Sequence, residues 1–155
     1  ARCARVVNAS EFARDVANGS LPDYSMYVPD LNDDGHDTGV GYADRWLSAT
    51  FGLLLHDQRF TNGLLFIVTF DESADTRPDD NRVLTIVVGD AVRPGTVLDA
   101  EYSHYSLLRL VEDEFGLGSL SGSTMHVPLR SGLSEVADWT LRRQMGSGPC
   151  YPWSP

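Results

Sequence analysis

Two stretches of the chain are apolar almost without a break, LLFIVTF (residues 64–70) and VLTIVVG (83–89). Runs of this kind read as strands covered on both faces, as in a parallel sheet flanked by helices. DYSMYVP, ended by Pro29, is a third candidate strand. Helical spacing appears elsewhere. SEFARDVAN has a Ser or Asn cap, an early Glu and Gly19 beyond its end. From Ala43 to Phe60, ADRWLSATFGLLLHDQRF turns Trp46, Leu47, Phe51, Leu54 and Leu55 inward. SHYSLLRLVEDEFGL begins on a Ser cap and sets Leu107, Leu108, Val111 and Phe115 on one stripe, leaving the acids at 112–114 as the solvated side. LSEVADWTLRRQM predicts a last helix, followed by an irregular tail over 146–155.

Strands alternating with helices place the chain in the α/β class with at least partly parallel strands. Three strands make a thin sheet, so the pattern implies that more of the sheet is supplied from elsewhere. DLNDDGHDTGVGYAD carries acids, glycines and a His without apolar periodicity, and is a long loop of the kind that is usually functional.

The first apolar strand stops at two adjacent carboxylates, Asp71 and Glu72. In open α/β sheets the carboxyl edge is where ligands bind. Successive strand residues point to opposite faces, so the pair reaches one ion only if the chain leaves extended geometry at Asp71. Polar chemistry collects in four segments, NDDGHD (32–37), FDES (70–73), NRV (81–83) and YSHYS (102–106), three of them beside a strand end or a helix start. Asp and Glu are hard ligands suited to Mg²⁺, Ca²⁺ or Mn²⁺, while His binds a borderline metal or hydrogen-bonds a phosphoryl oxygen. The reaction class these parts allow is metal-assisted hydrolysis. His36 precedes Asp71 by 35 residues, so any contact between them depends on the fold. His56 reads as a surface residue near a helix end, His126 as structural, and Trp46, Trp139 and Trp153 as packing residues. His104 divides between a helix-cap neighbour packed on Tyr102 or Tyr105 and a functional group.

Composition narrows the partners. The 155 residues (17.0 kDa, 42% hydrophobic) suffice for one domain with a real core. A net charge of −10, with twelve basic residues that are all Arg, leaves no basic face for nucleic acid or an anionic membrane. A phosphate substrate then needs a metal or a local His/Arg cluster. No stretch approaches the length of a membrane span and no signal-like segment opens the chain, whose first residue, Ala1, marks it as processed or as a piece of something longer. Cys3 and Cys150 would close nearly the whole chain into one loop, stabilising by about 4–5 kcal/mol on the chain-entropy model, or they are two unrelated thiols. The sequons NAS at Asn8 and NGS at Asn18 favour the first and point to secretion.

PDYSMYVPDLNDDGHD, GLLFIVTFDES, NRVLTIVVGDAVRPG and YSHYSLLRLVEDEFGLGSL, in that order, resemble the carboxyl-terminal half of the phosphoesterase family, which groups acid phosphatases with bacterial phospholipases C. The resemblance covers roughly residues 21–120, and FDES, NRV and HYS look closest to secreted fungal-type acid phosphatases. Phospholipase-like members usually carry Gly-Gly after the acidic pair, where SADTRP stands here. The resemblance implies an alkaline-phosphatase-like three-layer sandwich with a mostly parallel central sheet. It implies that Asp71 and Glu72 help hold a divalent ion (Mg, Ca, Mn or Zn), that His36 hydrogen-bonds the phosphoryl group or protonates the leaving oxygen, that Asp37 orients His36, and that His104 lines the same pocket. Such an ion lowers the pKa of a hydroxyl nucleophile, and an imidazolium below about pH 6.5 supplies the acid.

The family's first metal ligands, an acidic residue followed by Asn, and its Ser or Thr nucleophile lie in the amino-terminal half, and no segment here matches them. The resemblance therefore implies that residues 1–155 are the carboxyl-terminal part of a single phosphoesterase domain, partnered by the amino-terminal half and inactive alone. Its substrate would be a small phosphate monoester. A phospholipase C or phosphodiesterase is the neighbouring reading, and a non-catalytic secreted glycoprotein that keeps the fold as a binding module is the reading from another class.

Overall fold

A computed structural model describes residues 5–74, 81–90 and 92–120. The expected last helix, the tail, both Cys, His126, Trp139 and Trp153 lie outside the described residues. The chain divides into two compact units, one running up to Phe60 and the other starting at Thr61.

In the first unit α1 spans Ser10–Asn18. Asn8 starts it, its side-chain Oδ1 accepting the Ser10 N–H (2.9 Å) and its carbonyl the Glu11 N–H (2.9 Å), which satisfies donors that a helix start leaves open. At the other end Gly19 and Ser20 donate back to Val16 and Asp15. α2 spans Val40–Phe51, a single 3₁₀ turn follows at Leu54–His56, and the short α3 covers Gln58–Thr61. The spacing expected from Ala43 onward holds: Trp46, Leu47, Leu54 and Leu55 are half-buried, Phe51 is buried, and His56 is exposed. Phe51 sits among Phe12 (5.4 Å between ring centroids), Tyr27 (5.5 Å) and Trp46 (6.0 Å), with Phe60 6.5 Å from Phe12. The pairs are edge-on or tilted, the arrangement that the ring quadrupole favours. Trp46 is thus a packing residue.

DYSMYVP forms no strand. Tyr27 is anchored in the aromatic cluster, 5.5 Å from Phe12, while Tyr24, Met26 and Val28 alternate outward and stay exposed. The period-two pattern is present, but a strand also needs a neighbour to bond its backbone.

In the second unit β1 (Leu65–Thr69) pairs with β2 (Thr85–Gly89) in the register Leu65 to Gly89 and Thr69 to Thr85, and the two threonine hydroxyls meet at 2.8 Å. Helix and strand are mixed as expected, but this pairing is antiparallel, and among the described residues the sheet has two strands. A parallel pair would need a crossover element, and the described parts of the connection, 70–74 and 81–84, contain no helix. Nor are both faces covered. β1 is half-buried, whereas Ile86 and Val88 of β2 stay exposed together with the neighbouring Leu84.

α4 spans His104–Phe115 behind its Ser103 cap, which forms a capping box with Ser106; the Ser103 N–H reaches Ser106 Oγ at 3.2 Å. Ser106 and Leu110 are buried. The acids at 112–114 are not the solvated side: Glu112 is only 5% exposed and its Oε1 accepts the Leu120 N–H (2.9 Å). Gly116, at φ 61°, turns the chain in the left-handed region so that residues 117–120 fold back over the helix end.

Candidate active site

The loop from Asp30 to Gly39 is tightly bonded to itself. Asp30 Oδ1 accepts the N–H groups of Asn32 (2.9 Å) and Asp33 (3.0 Å), Asp37 N–H reaches the Leu31 carbonyl (2.8 Å), and Thr38 Oγ1 donates to the Asn32 carbonyl (2.6 Å). Gly35 takes φ 92°, and a Cβ there would stand 3.3 Å from both Ala43 Cβ and the Gly39 carbonyl, so this corner under α2 suits only glycine. His36 follows it, with its N–H on Asp34 Oδ1 (2.8 Å).

His36 Nδ1 lies 2.7 Å from Asp37 Oδ1. A carboxylate only accepts, so Nδ1 carries the hydrogen and Nε2 is the atom at which this imidazole exchanges a proton. The dyad is exposed, His36 at 71% and Asp37 at 53%, so the described residues do not exclude water from it. Asp33 nearby is half-buried, and partial desolvation, then the charges of Asp30 and Asp34, hold its carboxyl above the ordinary range.

In the second unit the backbone bends at Asp71 and Glu72, directly after β1, and both acids are exposed. The chain thus leaves extended geometry at this point, and the Glu72 N–H turns onto Asp71 Oδ1 (2.9 Å). On the upstream side the Phe70 carbonyl is 2.8 Å from His104 Nε2. A carbonyl has no hydrogen to give, so His104 donates through Nε2, and the start of α4 is tied to the end of β1. His104 is exposed and makes this polar contact, 34 residues away in sequence, so it is more than a cap neighbour. On the downstream side the Ser73 N–H donates to Asn81 Oδ1 (2.8 Å).

The expected site residues therefore appear as two groups, the His36–Asp37 dyad in one unit and Asp71, Glu72 and His104 around the tip of β1 in the other. Among the described residues no three or more His, Cys, Asp or Glu side chains gather closely enough to hold a metal. No described helix is long and apolar enough to cross a membrane. Sequence reasoning marked NRV as polar but gave Asn81 no role, because a side chain that bonds backbone eight residues away leaves no spacing signal.

Comparison with known proteins covers the stretch that holds both groups. The family model of the phosphoesterases matches residues 2–118, which contain all five residues. The chain belongs to the phosphoesterase family. The match begins well before the blocks that first suggested it and takes in α1. Among curated proteins the chain is 32% identical over 122 residues to an acid phosphatase of Aspergillus fumigatus, covering 77% of this chain and 27% of that protein. A probable acid phosphatase of Kluyveromyces lactis is 35% identical over the same length, 77% and 29%. A phosphatidylinositol-3-phosphatase of Mycobacterium tuberculosis is 32% identical over 109 residues, 70% and 35%. The chain spans about three-tenths of the length of these relatives. No solved structure matches it.

Proposed function

We propose that this chain is the carboxyl-terminal part of a phosphatase that hydrolyses phosphate monoesters, with the nucleophile and the first metal ligands supplied by polypeptide outside it. The observation that carries this reading is the family match over residues 2–118, which spans the His–Asp dyad and the acid-tipped strand in one stretch. Monoesters are favoured over diesters because the relatives above are all named phosphatases, one of them a phosphatidylinositol-3-phosphatase.

In this reading Asp71 and Glu72 contribute two hard oxygen ligands to a divalent ion. They fit part of such a set, being adjacent, exposed carboxylates on a bend; further ligands come from elsewhere. Held there, such an ion would supply charge neutralisation for the phosphoryl oxygens and a lowered pKa for the attacking hydroxyl. His36 protonates the departing oxygen from Nε2, with Asp37 holding its Nδ1–H in place. His104, held by the Phe70 carbonyl, lines the same site. Burial of the exposed dyad and completion of β1 and β2 into the mostly parallel sheet of an alkaline-phosphatase-like sandwich both fall to the missing polypeptide. Secretion is supported by the two sequons, Asn8 and Asn18, whose side chains are both exposed. The capping bond at Asn8 uses Oδ1 and leaves Nδ2 as the atom to be glycosylated. Cys3 and Cys150 are then oxidised, with each other or with the remaining polypeptide.

The test is hydrolysis of p-nitrophenyl phosphate by the whole protein at mildly acidic pH, with Mg²⁺ or Mn²⁺ titrated in. His36→Ala should lower kcat by about 10²–10⁴-fold, the share of general acid catalysis. Asp71→Asn with Glu72→Gln should raise the ion concentration needed for half-maximal activity. Full activity and unchanged ion dependence in the double variant would refute the reading.

A further inference from the structure

We propose that Asn81 is a positioning residue for the Asp71–Glu72 pair, its side-chain oxygen fixing the backbone on the downstream flank as His104 fixes it on the upstream flank. The inference rests on the reading of that pair as metal-holding. Four consecutive residues carry three hydrogen bonds: His104 Nε2–H to the Phe70 carbonyl (2.8 Å), Glu72 N–H to Asp71 Oδ1 (2.9 Å), and Ser73 N–H to Asn81 Oδ1 (2.8 Å). The outer two come from side chains distant in sequence, one at the start of α4 and the other at the approach to β2, so the acid pair is bracketed by both elements that flank it.

Two exposed carboxylates on an unsupported bend would sample many separations, and an ion would have to order them as it bound. Holding residues 70 and 73 fixes where the bend begins and ends before any ion arrives. The side-chain chemistry at 81 also fits the task. An amide oxygen accepts the Ser73 N–H without placing a third negative charge beside the pair, which a carboxylate would do. Outer partners of this kind typically alter metal affinity 10–100-fold when removed.

The experiment is Mn²⁺ binding to the metal-free whole protein by calorimetry, for the unmodified protein, Asn81→Leu and Asn81→Asp, with hydrogen exchange of the Ser73 amide in the unmodified metal-free protein. Asn81→Leu, which loses the acceptor, should weaken Mn²⁺ binding about tenfold or more. Asn81→Asp, which keeps an acceptor at the same reach, should bind more tightly than Asn81→Leu, and the Ser73 amide should exchange more slowly than its exposed neighbours. Mn²⁺ binding untouched in Asn81→Leu overturns the role of Asn81 alone. A fast-exchanging Ser73 amide overturns it too, and decides the matter even if Asn81→Leu does not fold. No Mn²⁺ binding by the unmodified protein, with the amide protected, overturns instead the reading of the acid pair.

Discussion

Asp57 shows how a residue can acquire an interaction that helix spacing argues against. It accepts from Arg59 Nε at 3.1 Å and Nη2 at 2.6 Å, and takes the Arg59 backbone N–H on Oδ1 (2.9 Å). Two residues apart on a helix do not face each other, but Asp57 lies before the first turn of α3, in extended conformation, and can wrap around it. The sequence made His56 legible as a surface residue at a helix end; this fork it did not, because the fork depends on where the turn breaks. The side-chain bond to Arg59, then the backbone bond, hold the Asp57 carboxyl at about 2. The unfolded group titrates near 3.9, so the folded chain binds fewer protons between those values. The contribution is therefore present above about pH 4 and lost as pH falls toward 2. Carbon-detected NMR titration of the Asp57 carboxyl should show this depressed midpoint, and Asp57→Asn should flatten the acid limb of the unfolding curve over the same window. A midpoint near the ordinary value would remove Arg59 from the account.

At the scale of elements, α4 was legible from its Ser103 cap to Phe115, because capping chemistry and a periodic apolar stripe are both written locally. What covers the helix was not. Glu112 shares a run with Asp113 and Glu114, and the run alone reads as a solvated face. It is buried because Gly116 reverses the chain and Leu120 returns to donate its N–H to Oε1. Leu120 is itself exposed and its N–H can turn to water, so losing the Glu112 acceptor removes the net worth of one hydrogen bond, about 0.5–1.5 kcal/mol. Glu112→Ala should therefore lower unfolding stability by about that amount in urea, whereas Glu112→Gln, which keeps the carbonyl oxygen, should cost less. The same fold-back predicts that the alanine variant frays the carboxyl end of α4 before its start, where the Ser103–Ser106 box and the His104 bond remain, and amide exchange along 104–120 checks that order.

At the scale of the molecule, the apolar runs located both strands, and the acid pair marked where β1 ends. Pairing direction was not legible, since an apolar run records that a strand is to be buried and not by which neighbour. Tyr24, Met26 and Val28 make the same point from the other side: they alternate as a strand does, yet are 55%, 76% and 70% exposed, with no strand pairing to them among the described residues. Ile86 and Val88 of β2, and Leu84 just before it, are likewise exposed. This open apolar surface, in a chain spanning 27–29% of the length of its fungal acid phosphatase relatives, is where the further polypeptide of the proposed reading would pack. On the proposed reading, in which the nucleophile comes from polypeptide outside it, the 155-residue chain by itself should bind a hydrophobic dye and hydrolyse no p-nitrophenyl phosphate at any Mg²⁺ or Mn²⁺ concentration. Co-expression with the rest of the protein should restore hydrolysis and suppress dye binding together. Restored activity with dye binding unchanged would mean that the missing part supplies chemistry without covering this surface, and the sheet would then be completed by something else. An isolated chain that is monomeric, dye-free and active with a divalent ion would place the nucleophile within these residues and overturn the division into two parts.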